Sequence, residues 1–405
     1  MAQQVRGMFR RFMIVAAALT LALGLSAAAL AGSGTVTITQ EEYELLQQYK
    51  HIEEIRQLIS RMYYRDIDPD SLMTGAMRGL FDPLEDPYSF YYSKDDVIKM
   101  NEQLSGDYKG IGVQILAQSE DNSLLIVRVF PDSPAEEAGI RSGDKIIQVD
   151  DLPVDAFEMN RAVEIMRGGP AGTTVEVTVE RGGEDIMFTV PRGDVHMNNV
   201  ESSMLDGGIG YIRLYSFEGT MAEEYEATLE ELKAQGMAAL VLDLRDNPGG
   251  LTSYAERVAN TLLDDELIYL TSDRYGLEVR YYADGQSLGI PLAVLCNGQS
   301  ASSSEILIGA LRDNDAAVII GEKTYGKGII QSVYEFPEGD GMQVTSQQYF
   351  TPDGSVIHEV GIEPDILVEL NEDAIGENTM IDPDKDNQLK AAVEYLAGAL
   401  AGERE

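Results

Sequence analysis

The sequence has few of the residues that form covalent cross-links and metal sites. Its 405 residues include one cysteine, Cys296, three histidines, His51, His196 and His358, and no tryptophan. A single cysteine excludes an internal disulfide, and a Cys-based zinc site needs several thiolates. His358-Glu359 is not followed by the second histidine of an H-E-x-x-H zinc motif. We therefore expect neither a metal nor a cofactor.

Positive charge is also scarce. The chain has 30 Lys and Arg against 69 Asp and Glu, a net charge of −39. Such a surface repels phosphates, so we expect no nucleic-acid partner, and binding to anionic lipid is disfavoured for the same reason. The hydrophobic content of 44% is sufficient for buried cores. A chain of this length holds roughly two or three globular domains.

The N-terminus combines a basic start with an uncharged apolar run. Arg6, Arg10 and Arg11 precede residues 12–31, which end in Ala-Leu-Ala. This pattern predicts an export signal over residues 1–31. The run of 20 residues is also long enough to span a bilayer, so a cleaved signal and a retained membrane anchor both remain open. Either one places the rest of the chain outside the cytoplasm.

Periodicity and glycine content divide the remaining chain into regions. We predict a helical region, a β-rich domain, an α/β core and a C-terminal helical segment, over residues 32–104, 105–193, 194–375 and 376–405. Strands and helices alternate in the third region, which favours βαβ units in a sheet covered by helices. The fold class is therefore a mixed α/β multidomain protein.

The helical N-terminal region has an apolar stripe. Its apolar residues recur every three or four positions, at Tyr43, Leu46, Tyr49, Ile52, Ile55 and Ile59. This amphipathic stripe must cover either the body of the protein or a partner chain. A second helix is predicted near residues 70–81, with Asp70 or Ser71 as its cap. Further on, Ser133 to Gly139 predicts a short helix that begins and ends at those residues.

The stretch GEKTYGKGIIQ, residues 321–331, raises the question of what its lysine does. Gly321, Gly326 and Lys327 fit the phosphate-binding pattern G-x-x-x-x-G-K, but Gly328 occupies the position of the Ser or Thr that holds Mg²⁺. The nucleotide interpretation is therefore disfavoured. Small and apolar neighbours favour burial of the amine, which lowers the pKa of a lysine. An ordinary surface lysine in a glycine turn is the alternative.

Serines cluster where an apolar strand gives way to a helix, in SASSSE. Ser302 and Glu305 form the capping-box pattern S-x-x-E, which alone explains the serine structurally. The same helix start would also expose N–H groups that can hold an oxyanion while the serine attacks a carbonyl. With few histidines available, Lys327 is the candidate base. Gln331 could orient the amine or simply face solvent from its strand.

A second turn follows a buried strand in LDLRDNPGGL. Residues 247–250, Asn-Pro-Gly-Gly, are a strong turn signal. Gly249 and Gly250 allow backbone N–H groups to approach a ligand closely, although a plain turn explains the same residues. Arg245 and Asp246 are placed to pair with each other.

Together and in this order, these segments resemble the C-terminal processing peptidases, the tail-specific Ser-Lys proteases of family S41. The resemblance is carried by NGQSASSSEI, GEKTYGKGIIQ, LDLRDNPGGL and GIEPDI (361–366). It extends from about residue 40 to the C-terminal helix. It includes GIGVQI through ERGGE, which is similar to the PDZ domain inserted in that family, here residues 105–193. The resemblance implies a serine protease core over residues 194–375.

The resemblance also implies roles for individual residues. Ser302 is the nucleophile, Lys327 is the general base and Gln331 orients the lysine. Members of the family commonly read S-A-S-A-S-E, whereas this sequence has Ser303 at the second alanine position. That substitution leaves a shift of the nucleophile by one residue open.

Backbone N–H groups supply the two remaining sites that the resemblance implies. The oxyanion donors map to Gly249 and to a neighbour of the nucleophile, Ser303 or Ala301. A PDZ domain adds a C-terminal peptide as a strand and holds its carboxylate on backbone N–H groups. The candidate peptide-binding residues are Gly110, Ile111, Gly112 and Val113.

The expected function is an extracytoplasmic serine endopeptidase that recognises the C-terminal tails of proteins. Its expected partners are proteins or peptides with accessible C-termini. The N-terminal helices are candidates for homodimer formation, and membrane attachment would involve the N-terminal segment only. The alternative is a catalytically inactive PDZ scaffold that binds protein C-termini.

Overall fold

The computed structural model describes residues 36–118, 122–170, 172–376 and 381–402. The chain divides into two compact units, Met1–Pro83 and Leu84–Glu405. The predicted signal or anchor, residues 1–31, lies outside the described residues. Within the described ranges, no helix has the length and apolar character needed to cross a bilayer.

The first unit contains helices α1 (Gln40–Met62) and α2 (Pro69–Gly79). None of the residues in either helix is buried, so the apolar stripe of α1 is exposed. Asp68 caps α2 by accepting a hydrogen bond from the Asp70 N–H at 3.2 Å. The prediction of Asp70 or Ser71 as the cap was wrong. Pro69 takes the first helical position, because its fixed φ suits that position and it has no N–H to satisfy.

The second unit opens with β1 (Phe90–Tyr92), α3 (Lys94–Ser105) and β2 (Asp107–Gly110). A helical interpretation of the whole stretch 32–104 was therefore wrong at β1. Three consecutive aromatic residues there favour an extended strand.

The region predicted to be PDZ-like is a small antiparallel domain with its own core. Its elements are β3 (Val113–Ala117), β4 (Leu124–Val129), α4 (Pro134–Ala138), β5 (Lys145–Val149), β6 (Leu152–Pro153), α5 (Met159–Arg167), β7 (Thr174–Arg181) and β8 (Glu184–Pro191). The strand order is β3-β4-β5-β7-β8, and β6 pairs with β5. The prediction of α4 is confirmed: Ser133 caps it and Gly139 ends it at φ +92°. Strand β9 (Gly193–His196) then pairs with β2.

Strands and helices alternate through the remaining core. They are β10 (Val200–Leu205), β11 (Ile209–Leu214), α6 (Met221–Ala234), β12 (Ala239–Asp243), α7 (Thr252–Leu262), β13 (Leu267–Asp273), β14 (Glu278–Tyr282), β15 (Leu292–Cys296), α8 (Ser303–Asp313), β16 (Val318–Gly321), β17 (Ile329–Glu335), β18 (Gly341–Phe350), β19 (Ile366–Leu367) and α9 (Asn387–Ala401).

The central sheet has the order β10-β11-β12-β15-β16-β19 and is parallel from β11 onward. Both faces of β12 are buried. Because side chains alternate along a strand, Leu240 and Leu242 pack with helices α6 to α8, while Ala239 and Val241 pack against α9. The βαβ prediction and the mixed α/β fold class are confirmed.

A second, antiparallel sheet has the order β1-β18-β13-β14, with β17 also paired to β18. Tyr349, near the end of β18, is fully buried in the same core as helix α8. This sheet therefore places side chains of β18 beside the start of α8.

Candidate active site

The predicted site residues follow three neighbouring parallel strands. Residues 247–250 come after β12, Ser302 comes after β15 and Lys327 comes after β16. Because β12, β15 and β16 are adjacent and parallel, their carboxyl ends share one edge of the sheet. Ligand sites in α/β sheets form at this kind of edge. The fold therefore brings together three segments that are up to 80 residues apart in the sequence.

Ser302 stands at the start of α8 in an unusual backbone conformation. Its φ is +56° and its ψ is −116°, which non-glycine residues rarely adopt. Strain of this kind persists only where surrounding contacts enforce it, and it clusters at functional sites. The Ser302 N–H donates to the Glu305 carboxylate at 3.0 Å. The side chain is half-buried at the sheet edge.

Ser303 differs from Ser302 in accessibility. It is fully buried, and its hydroxyl donates to the Gly250 carbonyl at 2.8 Å. A hydroxyl held in this way is poorly placed to attack an external carbonyl, which favours Ser302 as the nucleophile. The Ser303 N–H has no hydrogen-bond acceptor within the described ranges.

Gly249 packs directly against the serine loop. A Cβ at this position would lie 2.7 Å from the Ala301 carbonyl oxygen, 2.8 Å from Ser302 Cβ and 2.9 Å from the Ser303 nitrogen. With φ at +99°, the position requires glycine on both steric and conformational grounds. The Gly249 N–H donates to Asn247 Oδ1 at 2.9 Å, so this predicted oxyanion donor is already engaged.

Lys327 is half-buried, and its amine lies 4.5 Å from the centroid of the Tyr88 ring. Burial lowers the pKa of the amine below its usual value, against the opposing effects of Asp86 and Glu305. No hydrogen bond joins this amine to Ser302 or Gln331, all of which are described. The structure therefore brings the lysine backbone to the serine while its side chain contacts an aromatic ring.

Gln331 lies on β17, where the pairing with β18 shifts register between Ile330 and Gln331. Its side-chain amide donates to Thr345 Oγ1 at 3.3 Å. The structure does not bring this amide into hydrogen-bond contact with Lys327.

The Glu305 carboxylate connects the serine and lysine loops. It is fully buried and accepts four hydrogen bonds: at Oε2 from the N–H groups of Ser302 (3.0 Å) and Lys327 (2.8 Å), and at Oε1 from the Gly326 N–H (2.7 Å) and the Thr324 hydroxyl (2.6 Å). Hydrogen bonds to a charged acceptor are the strong ones. The S-x-x-E pattern indicated the contact with Ser302, but the three contacts with the lysine loop had no sequence signal.

Tyr349 connects the same two loops from the opposite side. Its hydroxyl approaches the Ser302 carbonyl oxygen at 3.0 Å and that of Lys327 at 2.6 Å. Burial raises the pKa of this tyrosine well above its usual value, so the hydroxyl keeps the proton that it donates. Sequence reasoning missed this residue because no local pattern marks a buried tyrosine as a cross-link.

Below the Asn-Pro-Gly-Gly turn is a buried charge network. Arg245 contacts Asp243 at 2.5 Å and Asp386 at 2.8 Å, and all three side chains are at least 97% buried. Although burial would raise the pKa of Asp243, Arg245 holds it below its usual value. The predicted pairing of Arg245 with Asp246 was wrong, since Asp246 contacts Arg213 at 3.1 Å.

The predicted peptide-binding residues run from the last residue of β2, Gly110, to the first residue of β3, Val113. Gly112 has φ +92°, and a Cβ there would lie 2.2 Å from Ser133 Cβ. Ile111 is buried, and its carbonyl accepts the Ala135 N–H at 2.8 Å. Tyr108 is next to this loop: burial raises its pKa to about 12, and the Gly112 backbone hydrogen-bonds to it. The loop is thus fixed by α4, with the Tyr108 hydroxyl at the backbone of Gly112.

Comparison with known families matches three parts of the chain. The model for peptidase family S41 matches residues 208–368, a PDZ domain model matches residues 125–181, and the N-terminal domain of the activating protease CtpB matches residues 14–96. The fold and the sheet-edge site therefore belong to a PDZ-containing peptidase class.

Whole-chain comparisons agree with these matches. The CtpA-like serine protease of Staphylococcus haemolyticus is 34% identical over 326 residues, covering 80% of this chain and 65% of that protein. The carboxyl-terminal-processing protease of Picosynechococcus sp. is 39% identical over 319 residues, covering 77% of this chain and 76% of that protein. The solved structure of the photosystem II D1 C-terminal processing protease has a TM-score of 0.51 at 27% identity, covering 86% of this chain and 96% of that chain.

The chain belongs to peptidase family S41 and is similar within it to the C-terminal processing proteases. The resemblance stated from the sequence is confirmed. The chain spans about two thirds of the length of the staphylococcal relative, which is covered to 65%.

Proposed function

We propose that this protein is an extracytoplasmic serine endopeptidase that binds the C-terminal tails of proteins through its PDZ domain and cleaves peptide bonds with Ser302 and Lys327. One observation carries the proposal: the buried Glu305 and Tyr349 side chains each contact the backbone of both residues. A serine at a strained helix start and a partly desolvated lysine are thereby fixed at one sheet edge.

Catalysis begins with proton transfer from Ser302 Oγ to the neutral Lys327 amine. The oxygen then attacks the peptide carbonyl carbon, the C–N bond breaks, and the amine proton passes to the leaving nitrogen. Water then attacks the resulting ester. Lys327 accepts a proton from the water and returns it to Ser302 Oγ as the ester bond breaks. The lysine side chain must first turn from Tyr88 to Ser302. Only the neutral amine can accept the proton, so kcat/KM rises with pH through the pKa of Lys327.

Backbone N–H groups stabilise the tetrahedral oxyanion. Ser303 supplies one donor from the start of α8, where N–H groups carry partial positive charge. Gly249 supplies the second donor after its N–H leaves Asn247 Oδ1. Gln331 orients the lysine once its amide leaves Thr345. The active arrangement thus differs from the described one at three side chains, those of Lys327, Asn247 and Gln331.

The test compares products of an unfolded model protein by mass spectrometry for wild type, Ser302→Ala, Lys327→Ala and Ser303→Ala. We expect the first two variants to give no cleavage while keeping the wild-type circular dichroism spectrum. Ser303→Ala should keep its activity, because its hydroxyl is not the nucleophile. Cleavage by Ser302→Ala would refute the assignment, and an inactive wild type would favour the scaffold alternative.

Tail recognition is tested with paired substrates that differ only at the C-terminus. In the proposed binding mode, the N–H groups of Gly110, Ile111, Gly112 and Val113 hold a free carboxylate after the Tyr108 hydroxyl leaves Gly112, whereas a C-terminal amide lacks the charge that they hold. We expect amidation to raise KM about tenfold, the loss of roughly one hydrogen bond to a charged group. Equal KM values would remove the PDZ domain from substrate selection.

Location and assembly are part of the same proposal. Export by residues 1–31 predicts activity in the extracytoplasmic fraction, and N-terminal sequencing distinguishes a cleaved signal from a retained anchor.

The exposed stripe on α1 predicts a homodimer. When Leu46 and Ile52 are both changed to Glu, we expect sedimentation to show a monomer instead. A monomeric wild type would exclude dimerisation.

A further inference from the structure

The segment before β1 is fixed at the candidate active site by its own hydrogen bonds. The Tyr88 N–H donates to Asp86 Oδ1 at 2.9 Å, and the Ser89 hydroxyl donates to Asp86 Oδ2 at 2.5 Å. Two contacts with β18 then anchor this turn: the Thr345 N–H donates to Ser89 Oγ at 2.9 Å, and Gln343 Nε2 donates to the Tyr88 carbonyl at 3.0 Å. The backbone of Tyr88 is therefore held independently of its side chain.

The Tyr88 ring faces the Lys327 amine at 4.5 Å from the ring centroid. The Tyr88 and Tyr325 hydroxyls are 3.4 Å apart, and this contact is the largest cause that raises the pKa of Tyr88 to about 12. The ring therefore stays neutral over the working pH range. Its interaction with the lysine is that of a cation with an aromatic face.

A cation–π contact distinguishes between the two forms of an amine. It stabilises the ammonium form, typically at less than 6 Å from the ring centroid, and is lost when the amine becomes neutral. The charged and titratable groups that face the same amine are Asp86 from the turn and Glu305 from α8, with Tyr325 beside the ring and His358 beside Asp86. Among the residues that the structure describes, Tyr88 alone is in ring contact with the amine.

We propose that Tyr88 is a positioning residue that holds the charged Lys327 amine against its ring, away from Ser302, and releases it when the amine loses its proton. This inference rests on the proposed Ser302-Lys327 mechanism. In that mechanism deprotonation does two things at once: it creates the base and frees it to turn toward the serine. The ring thus couples the protonation state of the lysine to its position.

The experiment measures kcat/KM against pH for wild type, Tyr88→Phe, Tyr88→Leu and Tyr88→Met. Phe keeps the aromatic face, while Leu and Met keep apolar bulk without it. We expect Tyr88→Phe to keep the wild-type midpoint and the other two variants to lower it. A cation–π contact of ordinary strength corresponds to a shift of about 0.4 to 1.5 pH units. Phe90→Leu, which removes a ring from β1 next to the same segment without removing a hydrogen bond, is the matched control and should not shift the midpoint.

Failure of the inference and failure of the proposed function give different results. If Lys327→Ala stays active, or wild-type kcat/KM does not change with pH, the lysine is not the base and the proposed function fails. If wild type shows the pH-dependent rise but both Tyr88→Leu and Tyr88→Met keep its midpoint, or raise it, the role of Tyr88 is overturned. A merely structural role would lower the amount of folded enzyme or kcat without moving the midpoint, and that outcome also overturns it.

Discussion

The substitution Glu305→Gln tests the link between the serine and lysine loops. The two carboxylate oxygens each accept two hydrogen bonds in a site with 0% exposure. An amide of the same shape has one oxygen and one NH₂ group. In one orientation the NH₂ opposes the N–H groups of Ser302 and Lys327; in the other it opposes the Gly326 N–H. At least one donor and at most two lose their acceptor.

The cost follows from the value of each lost contact. A hydrogen bond to a charged acceptor contributes about 1.5 to 3 kcal/mol, so losing one or two lowers the free energy of unfolding by about 2 to 6 kcal/mol. For a domain of this size, each kcal/mol lowers Tm by about 2 to 4 °C, which gives a total of about 4 to 24 °C. We also expect kcat/KM to fall about 100-fold, because misplacement of a catalytic group by roughly 1 Å has an effect of that size.

The assay is scanning calorimetry together with cleavage of a model protein at a temperature where both proteins are folded. Glu231→Gln is the control, since Glu231 is exposed on α6 and its change should cost less than about 0.5 kcal/mol. A Tm for Glu305→Gln equal to that of Glu231→Gln would show that the carboxylate does not hold the two loops together. Loss of stability with full activity would show that the two loops need no such link for catalysis.

Three further changes have distinct expected outcomes. Gly249→Ala should lower kcat/KM about 100-fold by displacing the serine loop. Gly276→Ala is the control and should remain active, because Gly276 also has a positive φ, +74°, but nothing lies within 4 Å of an added Cβ. Equal effects of the two changes would contradict the steric argument. Tyr349→Phe removes the donor shared by two partly buried carbonyls and should lower the free energy of unfolding by about 1 to 3 kcal/mol, against no change for Tyr275→Phe, which is 84% exposed. Because burial lowers the pKa of Lys327, wild-type kcat/KM should rise with pH and reach half its maximum below the usual 10.5; a midpoint at or above that value would contradict a lowering of the pKa by burial.

Local patterns indicated much of the candidate site. Ser302 was marked by a capping box, Lys327 by flanking glycines and Gly249 by a turn signal, and each pattern lies within a few residues of the chain. Buried apolar strands such as β12 and β15 then predicted the sheet whose edge unites them. The order of these motifs was enough to indicate the family.

The contacts that hold the site together had no such local signal. Tyr88 contacts Lys327, and Tyr349 contacts Ser302, although the residues of each pair are far apart in the sequence and meet only in the folded protein. Arg245 contacts Asp386, which is 141 residues further along the chain. The sequence predicted the nearby Asp246 as the partner, but burial of the guanidinium next to α9 selected a distant carboxylate. Long-range charge pairs depend on which surfaces meet, and spacing alone does not encode that.

The last helix sets a condition on when during folding the candidate active site can form. Until residues 387–401 dock, the Ala239 and Val241 face of the sheet is uncovered, and Asp386, which caps α9, is not held beside Arg245. A buried charge without its partner typically costs about 3 to 5 kcal/mol, a large part of the stability of a domain. Under the proposed function, a chain that already carries Ser302 and Lys327 would therefore stay proteolytically silent until α9 has docked on the sheet.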